Sequence, residues 1–195
     1  GIAPNMSLTL PVSAGGQWEE EVSVEGRGAV YFRENGDLVA RGRALNALDE
    51  ESRNCVCLID EKLMEKLFFA QDPLGQKLYI DGMEFTVVGV LEAVGSSASG
   101  SNDNQILIPF TLAQRLSNQT SISSFYVSAA SSAQVEQAQA AVESYLEKAF
   151  ENYNTRSFGT QYSVFNQTEM LSTLSETTNT LTLMLGGIAA ISLLV

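Results

Sequence analysis

Alternation opens the chain. Leu8, Leu10 and Val12 stand two apart, as do Val22 and Val24, with Gly15-Gly16 between the two sets. Successive strand side chains point to opposite faces, so this spacing predicts two strands joined by a turn. Val30-Tyr-Phe32 predicts a third extended segment, followed by a turn at Asn35-Gly-Asp37. After Arg41-Gly-Arg43 and a polar stretch from Asn46 to Asn54, the residues from Val56 to Ile59 form a short apolar strand. Asp60 can then cap a helix, because its carboxylate accepts from the free amides of a first turn. Leu63, Met64, Leu67 and Phe68 give that helix one apolar stripe. It should end near Gln71, since the residue before Pro73 is driven out of helical geometry. Pro73-Leu-Gly75 is a turn. Asp81-Gly82 separates Lys77–Ile80 from Met83–Leu91, a strong short-range hairpin signal.

The second half begins with Gly95 to Asn104, rich in Gly, Ser and Asn, which reads as a surface loop. Ile106-Leu-Ile108 is a strand ended by Pro109, Thr111 to Leu116 a short helix, and Phe125-Tyr-Val127 another strand. Ser131 and Gln134 fit a capping box. Val135, Ala138, Val142, Tyr145, Leu146, Ala149 and Tyr153 then repeat at helical spacing. Tyr162 to Phe165 reads as a strand. Asn166-Gln-Thr-Glu169 is a second capping box, and no proline interrupts Glu169 to Val195, so one helix is expected there. The order β–α–β–α points to an α+β architecture.

The run from Leu181 to Val195 is apolar, and no charge follows Glu176. A membrane-spanning helix needs about 20 predominantly apolar residues. Residues 177–195 are therefore expected to be the start of a transmembrane helix, and the opening Gly1-Ile-Ala-Pro reads as the edge of an excised piece. The competing reading is a buried C-terminal helix. The formal charge of −12, from 23 acidic against 11 basic residues, opposes nucleic-acid binding and docking on an anionic leaflet. Histidine is absent, which removes a His-based triad, a His-liganded metal and a His switch.

Candidate chemistry is sparse. No phosphate-cradling glycine loop is present. Glu19-Glu-Glu21 and Asp49-Glu-Glu51 sit in polar stretches and read as solvated charges rather than acid/base pairs. Cys55 and Cys57 share one face of a strand, too far apart for an easy disulfide, and read as small core residues. Asn102-Asp-Asn104 resembles loose calcium ligation without the distal Glu of an EF-hand. Asn5, Asn118 and Asn166 open glycosylation triplets, a pattern common by chance. No catalytic, cofactor or metal residue is assigned, and the partner or ligand interface is unknown.

Three segments in order carry a resemblance. Cys55-Val-Cys-Leu-Ile-Asp-Glu-Lys-Leu-Met-Glu-Lys-Leu-Phe68, Asp72-Pro-Leu-Gly-Gln-Lys77 and Phe85-Thr-Val-Val-Gly-Val90 resemble the core of MacB-like periplasmic domains in MacB/FtsX-type ABC transporter permeases. Gly42-Arg43 with Asp49 looks like that family's Gly-Arg…Asp element, and Ile108-Pro109 like its Ile-Pro strand end. Phe165-Asn166 and the run from Leu185 to Val195 resemble the entry to its second membrane helix. Cys55 and Cys57 depart from the family's non-Cys apolar residues, and the Gly95–Asn104 loop is short.

The resemblance implies a two-lobed extracytoplasmic domain between the first and second of four membrane helices. Residues 1–40 and 120–176 would form a discontinuous membrane-proximal α/β lobe, and 41–119 an inserted, mainly-β lobe. The parent permease would pair as a dimer, recruit an ATP-binding cassette ATPase and work with an accessory extracytoplasmic protein. The domain would be non-catalytic and without cofactor, coupling cytoplasmic ATP hydrolysis to motion or to partner and cargo handling outside the membrane. The alternative is a ligand-sensing extracellular domain for a peptide or lipid; a hydrolase stands third.

Overall fold

The computed structural model describes residues 1–34, 39–69, 71–92, 104–118, 122, 124–150, 162–166, 177–178, 180–182 and 184–185. They belong to two compact units, Gly1–Ser128 and Ala129–Val195. The first holds an eight-stranded sheet: β1 (Ile2–Ala14), β2 (Gln17–Arg27), β3 (Val39–Gly42), β4 (Val56–Ile59), β5 (Lys77–Ile80), β6 (Met83–Leu91), β7 (Gln105–Pro109) and β8 (Ser124–Val127). Helices α1 (Ala29–Glu34), α2 (Ala47–Glu51), α3 (Glu61–Phe68) and α4 (Phe110–Ser117) interleave with them. The second unit contains α5 (Val135–Phe150).

The strand order is β2-β7-β4-β6-β5-β1-β8, and β1 also pairs with β2. Six strands therefore close into a hydrogen-bonded circuit, which removes edges that would otherwise invite pairing with other chains. β3 lies outside the circuit on β6, and β8 on β1. The β2–β7 and β4–β6 pairs are parallel; the others are antiparallel.

One face carries the main core. Val12, Val22, Val24, Ile59, Leu78, Ile80, Phe85, Val87, Ile106 and Ile108 meet Leu63, Leu67 and Phe68 of α3 and Phe110, Leu112 and Ala113 of α4. Each large side chain buried there contributes about 1.5–3 kcal/mol. Leu58 and Leu107, alternating with their neighbours, face the other way and pack with Phe32, Leu45 and Leu91. Most local expectations hold: Asp60 Oδ1 accepts from the Leu63 amide at 3.0 Å, and Asp81 and Gly82 take positive φ of 48° and 78° at the hairpin.

Several expectations fail. Val30-Tyr-Phe32 is not a strand but the body of α1, because the Glu50 carboxylate accepts from the Ala29 amide (2.8 Å) at its N-terminus and Phe32 is buried in the second cluster. The polar stretch after Arg43 contains α2, opened by a capping box of Asn46 and Asp49. α3 ends at Phe68, earlier than Gln71, because Phe69 turns to a positive φ of 53°. Tyr162 to Phe165 is not a strand: these residues pair with no strand, the Tyr162 ring sits 5.9 Å from that of Phe150, and Phe165 is exposed.

α5 follows a 3-10 turn at Ser132–Gln134. The compact units divide at 128/129, and the β2–β7 and β1–β5 pairings lie within the first of them. Of the helix expected from Glu169, residues 177–178, 180–182 and 184–185 are described and helical, and the Thr182 hydroxyl donates to the Thr178 carbonyl at 2.8 Å. No helix among the described residues is long and apolar enough to cross a membrane. Residues 186–195 of the span expected over 177–195, the Asn35-Gly-Asp37 turn, Tyr153 and the Gly95 loop up to residue 103 lie outside the described residues.

Candidate interaction surface

A polar cluster around Asp49 holds part of the fold. Gly42 has φ +84°, and a Cβ there would clash with the Val88 carbonyl oxygen. Gly89 is also tight: its Cβ would meet the Arg43 carbonyl oxygen at 2.7 Å. The two glycines let β3 press onto β6, and the Arg43 amide then donates to the Val88 carbonyl at 2.9 Å. This places the Arg43 guanidinium on buried Asp49, donating to Oδ2 at 2.6 Å and to Oδ1 at 3.0 Å. Asn54 and the Asn46 amide also donate to that carboxylate. Burial pushes the Asp49 carboxyl upward, but the bonds from Arg43, Asn46 and Asn54 outweigh it and hold it below the usual carboxylate range. An ion so satisfied is a structural lock and a poor general acid. The Gly42-Arg43…Asp49 element of the sequence is thus one contact in space.

The other candidates are dispersed. Glu19 pairs with Lys66 (3.2 Å), Glu50 serves α1, and Glu20, Glu21 and Glu51 are exposed. Cys57 is buried, its thiol pushed up by desolvation, and Cys55 is partly buried; both are free and pack in the main core. Asn104 donates its amide to Asp60 Oδ2 at 3.0 Å and is the described member of the loose calcium pattern. Asn5 lies within β1, Asn118 ends α4 in a left-handed turn, and the Asn166 amide donates to Gln139. No group of three or more metal-ligating side chains occurs among the described residues.

One surface stands out, on the face of the sheet opposite the main core. Trp18 of β2 and Tyr79 of β5 are both registered on Ser13 of β1, and Tyr79 on Glu84 of β6. Directly paired residues share a face, so these four form one row across four strands. Trp18 is 61% exposed and Tyr79 42%. The Tyr79 hydroxyl donates to Glu84 Oε2 at 3.1 Å, and Lys77 Nζ lies 2.7 Å from Oε1. Those two donors hold the Glu84 carboxyl below its usual range. Sequence reasoning did not single out Trp18; the available signal was a lone Trp at a polar position of an alternating strand.

Comparison with known proteins decides the family. The sequence profile of the MacB-like periplasmic core domain matches residues 1–145. The chain belongs to that family. This MacB-like domain is 31% identical over 200 residues to the pyoverdine export ATP-binding/permease protein PvdT of Pseudomonas aeruginosa, covering 98% of the chain and 29% of that protein. It is 32% identical over 161 residues to the macrolide export ATP-binding/permease protein MacB of Marinobacter nauticus, covering 80% of the chain and 24% of that protein. The chain thus spans less than a third of these relatives. Its fold resembles the extracellular domain of the noncanonic ABC-type transporter YknZ from Gram-positive bacteria (TM-score 0.63, 19% identity, 80% of this chain and 76% of that one). It also resembles the periplasmic region of MacB from Actinobacillus actinomycetemcomitans (TM-score 0.60, 18% identity, 82% and 77%).

Proposed function

We propose that this MacB-like domain is the extracytoplasmic part of an ABC transporter permease subunit. In this reading it has no catalytic role. It couples ATP hydrolysis by a cytoplasmic ATPase to motion, or to handling of a partner or cargo outside the membrane. The family match over residues 1–145 carries the reading. The closed strand circuit supports it, because a body without long free edges can move as a unit and can work outside the cell without aggregating. Two relatives are named for export, and export is the direction of transport we propose. The C-terminal residues from 177 onward would lead into the membrane, and a second permease copy would complete the assembly.

Sided labelling of the full-length protein in cells tests this. Gln17→Cys would be introduced in a Cys55→Ala background, where buried Cys57 stays unreactive. A membrane-impermeant maleimide should label residue 17 on cells with an intact inner membrane. Labelling only after that membrane is broken would contradict the proposal. The ligand-sensing alternative instead requires saturable binding of a peptide or lipid by the chain without any ATPase present.

A further inference from the structure

The Trp18 row has a feature that the permease reading does not use. Between the Leu10–Val22 and Val12–Glu19 pairs, β1 contributes one residue, Pro11, and β2 contributes two, Glu20 and Glu21. Proline has no amide hydrogen to donate to the ladder, so the partner strand bulges around it. The bulge leaves Glu20 and Glu21 exposed beside Trp18, and neither has an ion-pair partner among the described residues. Glu19 and Glu84, in contrast, are already engaged by Lys66 and Lys77. The distal end of the β1–β2 hairpin therefore joins two exposed aromatic rings to two carboxylates that have no ion pair among the described residues. The rings sit on strands flanking β1, roughly 10 Å apart at two inter-strand spacings.

We propose that this face docks a protein partner through arginine side chains. A guanidinium stacks on Trp and Tyr faces and presents a fork to carboxylates, which a lysine ammonium does not. The charge of −12 favours a basic partner and repels nucleic acid and anionic lipid. The row sits on strands already paired in the sheet, so binding orders little of this chain. The inference goes beyond the transporter assignment and does not depend on it.

Trp18 is the single tryptophan of the chain, so selectively excited tryptophan emission reports on this face alone. The probe is a nona-arginine peptide, with nona-lysine beside it, titrated into the 195-residue chain at 0.15 M salt. Saturable change of Trp18 emission, tighter for arginine than for lysine, is expected. Glu20→Gln with Glu21→Gln should weaken arginine-peptide binding about three- to five-fold. Glu51→Gln with Glu65→Gln removes the same charge from exposed positions elsewhere and should change it less than about two-fold. Circular dichroism verifies that both variants fold. Equal weakening by the two pairs would overturn the proposal, as would peptide binding seen by calorimetry with Trp18 emission unchanged, or no binding. An emission shift with phosphatidylcholine–phosphatidylglycerol vesicles and none with the arginine peptide would assign the face to a membrane and also overturn it.

Discussion

α3 and α5 carry the same kind of message in sequence and end differently. α3 has eight residues and buries Leu63, Leu67 and Phe68. α5 has sixteen and buries none; Val135, Ala138, Val142 and Leu146 are half-buried, and Tyr145 is 72% exposed. An apolar stripe states which side of a helix seeks cover. It does not state how much cover is there. α3 is also held by polar bonds: Asp60 caps it and accepts from the Asn104 amide, tying it to the residue before β7. α5 shows a local bond from Gln139 Nε2 to Glu143 Oε1 at 3.1 Å, of a kind contributing only a few tenths of a kcal/mol, and one from Asn166 Nδ2 to Gln139 Oε1 at 3.0 Å within its own unit. Stability should therefore concentrate in residues 1–128.

The largest effects should fall on the sheet core. Phe85→Ala empties a fully buried site and should lower unfolding free energy by about 3–5 kcal/mol in urea titration. A loss under 1 kcal/mol would mean the Phe85 site collapses or is not core. Gly42→Ala follows, at about 3 kcal/mol, since it combines positive φ with the Val88 clash. Arg43→Ala leaves Asp49 buried and unpaired; because Arg43 is half exposed and water can enter, about 2 kcal/mol is expected.

That lock also sets a pH dependence. The Asp49 carboxyl is held below its ordinary 3.8, so its contribution is present above that value and is lost as pH falls through the folded-state value. Acid unfolding curves of the wild type should be steeper in this range than those of Arg43→Ala. Superimposable curves would show that Asp49 is not held ionised by Arg43. Leu146→Ala on α5 should have the smallest effect, below about 1 kcal/mol. A loss matching that of Leu63→Ala would erase the contrast between the helices.

What the sequence disclosed was whatever is settled within a few residues. The Asp81-Gly82 hairpin, the Asp60 cap, the Leu8, Leu10, Val12 alternation of β1 and the strand ending at Pro109 depend on neighbours in the chain. α1 was misread because three apolar residues fit a strand as well as a helix. Its capping acceptor, Glu50, lies 21 positions away. α2 was missed although Asn46 and Asp49 form a capping box, since Asp replaces the usual Glu or Gln at the third position. Closure of the strand circuit rests on Val12–Ile80 and Val24–Ile106 registers, which no local pattern reveals. The family resemblance supplied the Gly42-Arg43…Asp49 element; the reason for it, two glycines bringing β3 against β6, needed coordinates. Trp18 and Tyr79 are unremarkable in sequence and meet only through Ser13.

Native-state hydrogen exchange of the chain tests most directly whether residues 1–128 form the stable body and α5 does not belong to its core. Amides of β4, β6 and β7 should exchange slowest, at the rate of global unfolding. Those of α5 should exchange at least about 100-fold faster, through local opening. Protection of α5 equal to that of β6 would contradict this division and make the C-terminal unit part of one cooperative core.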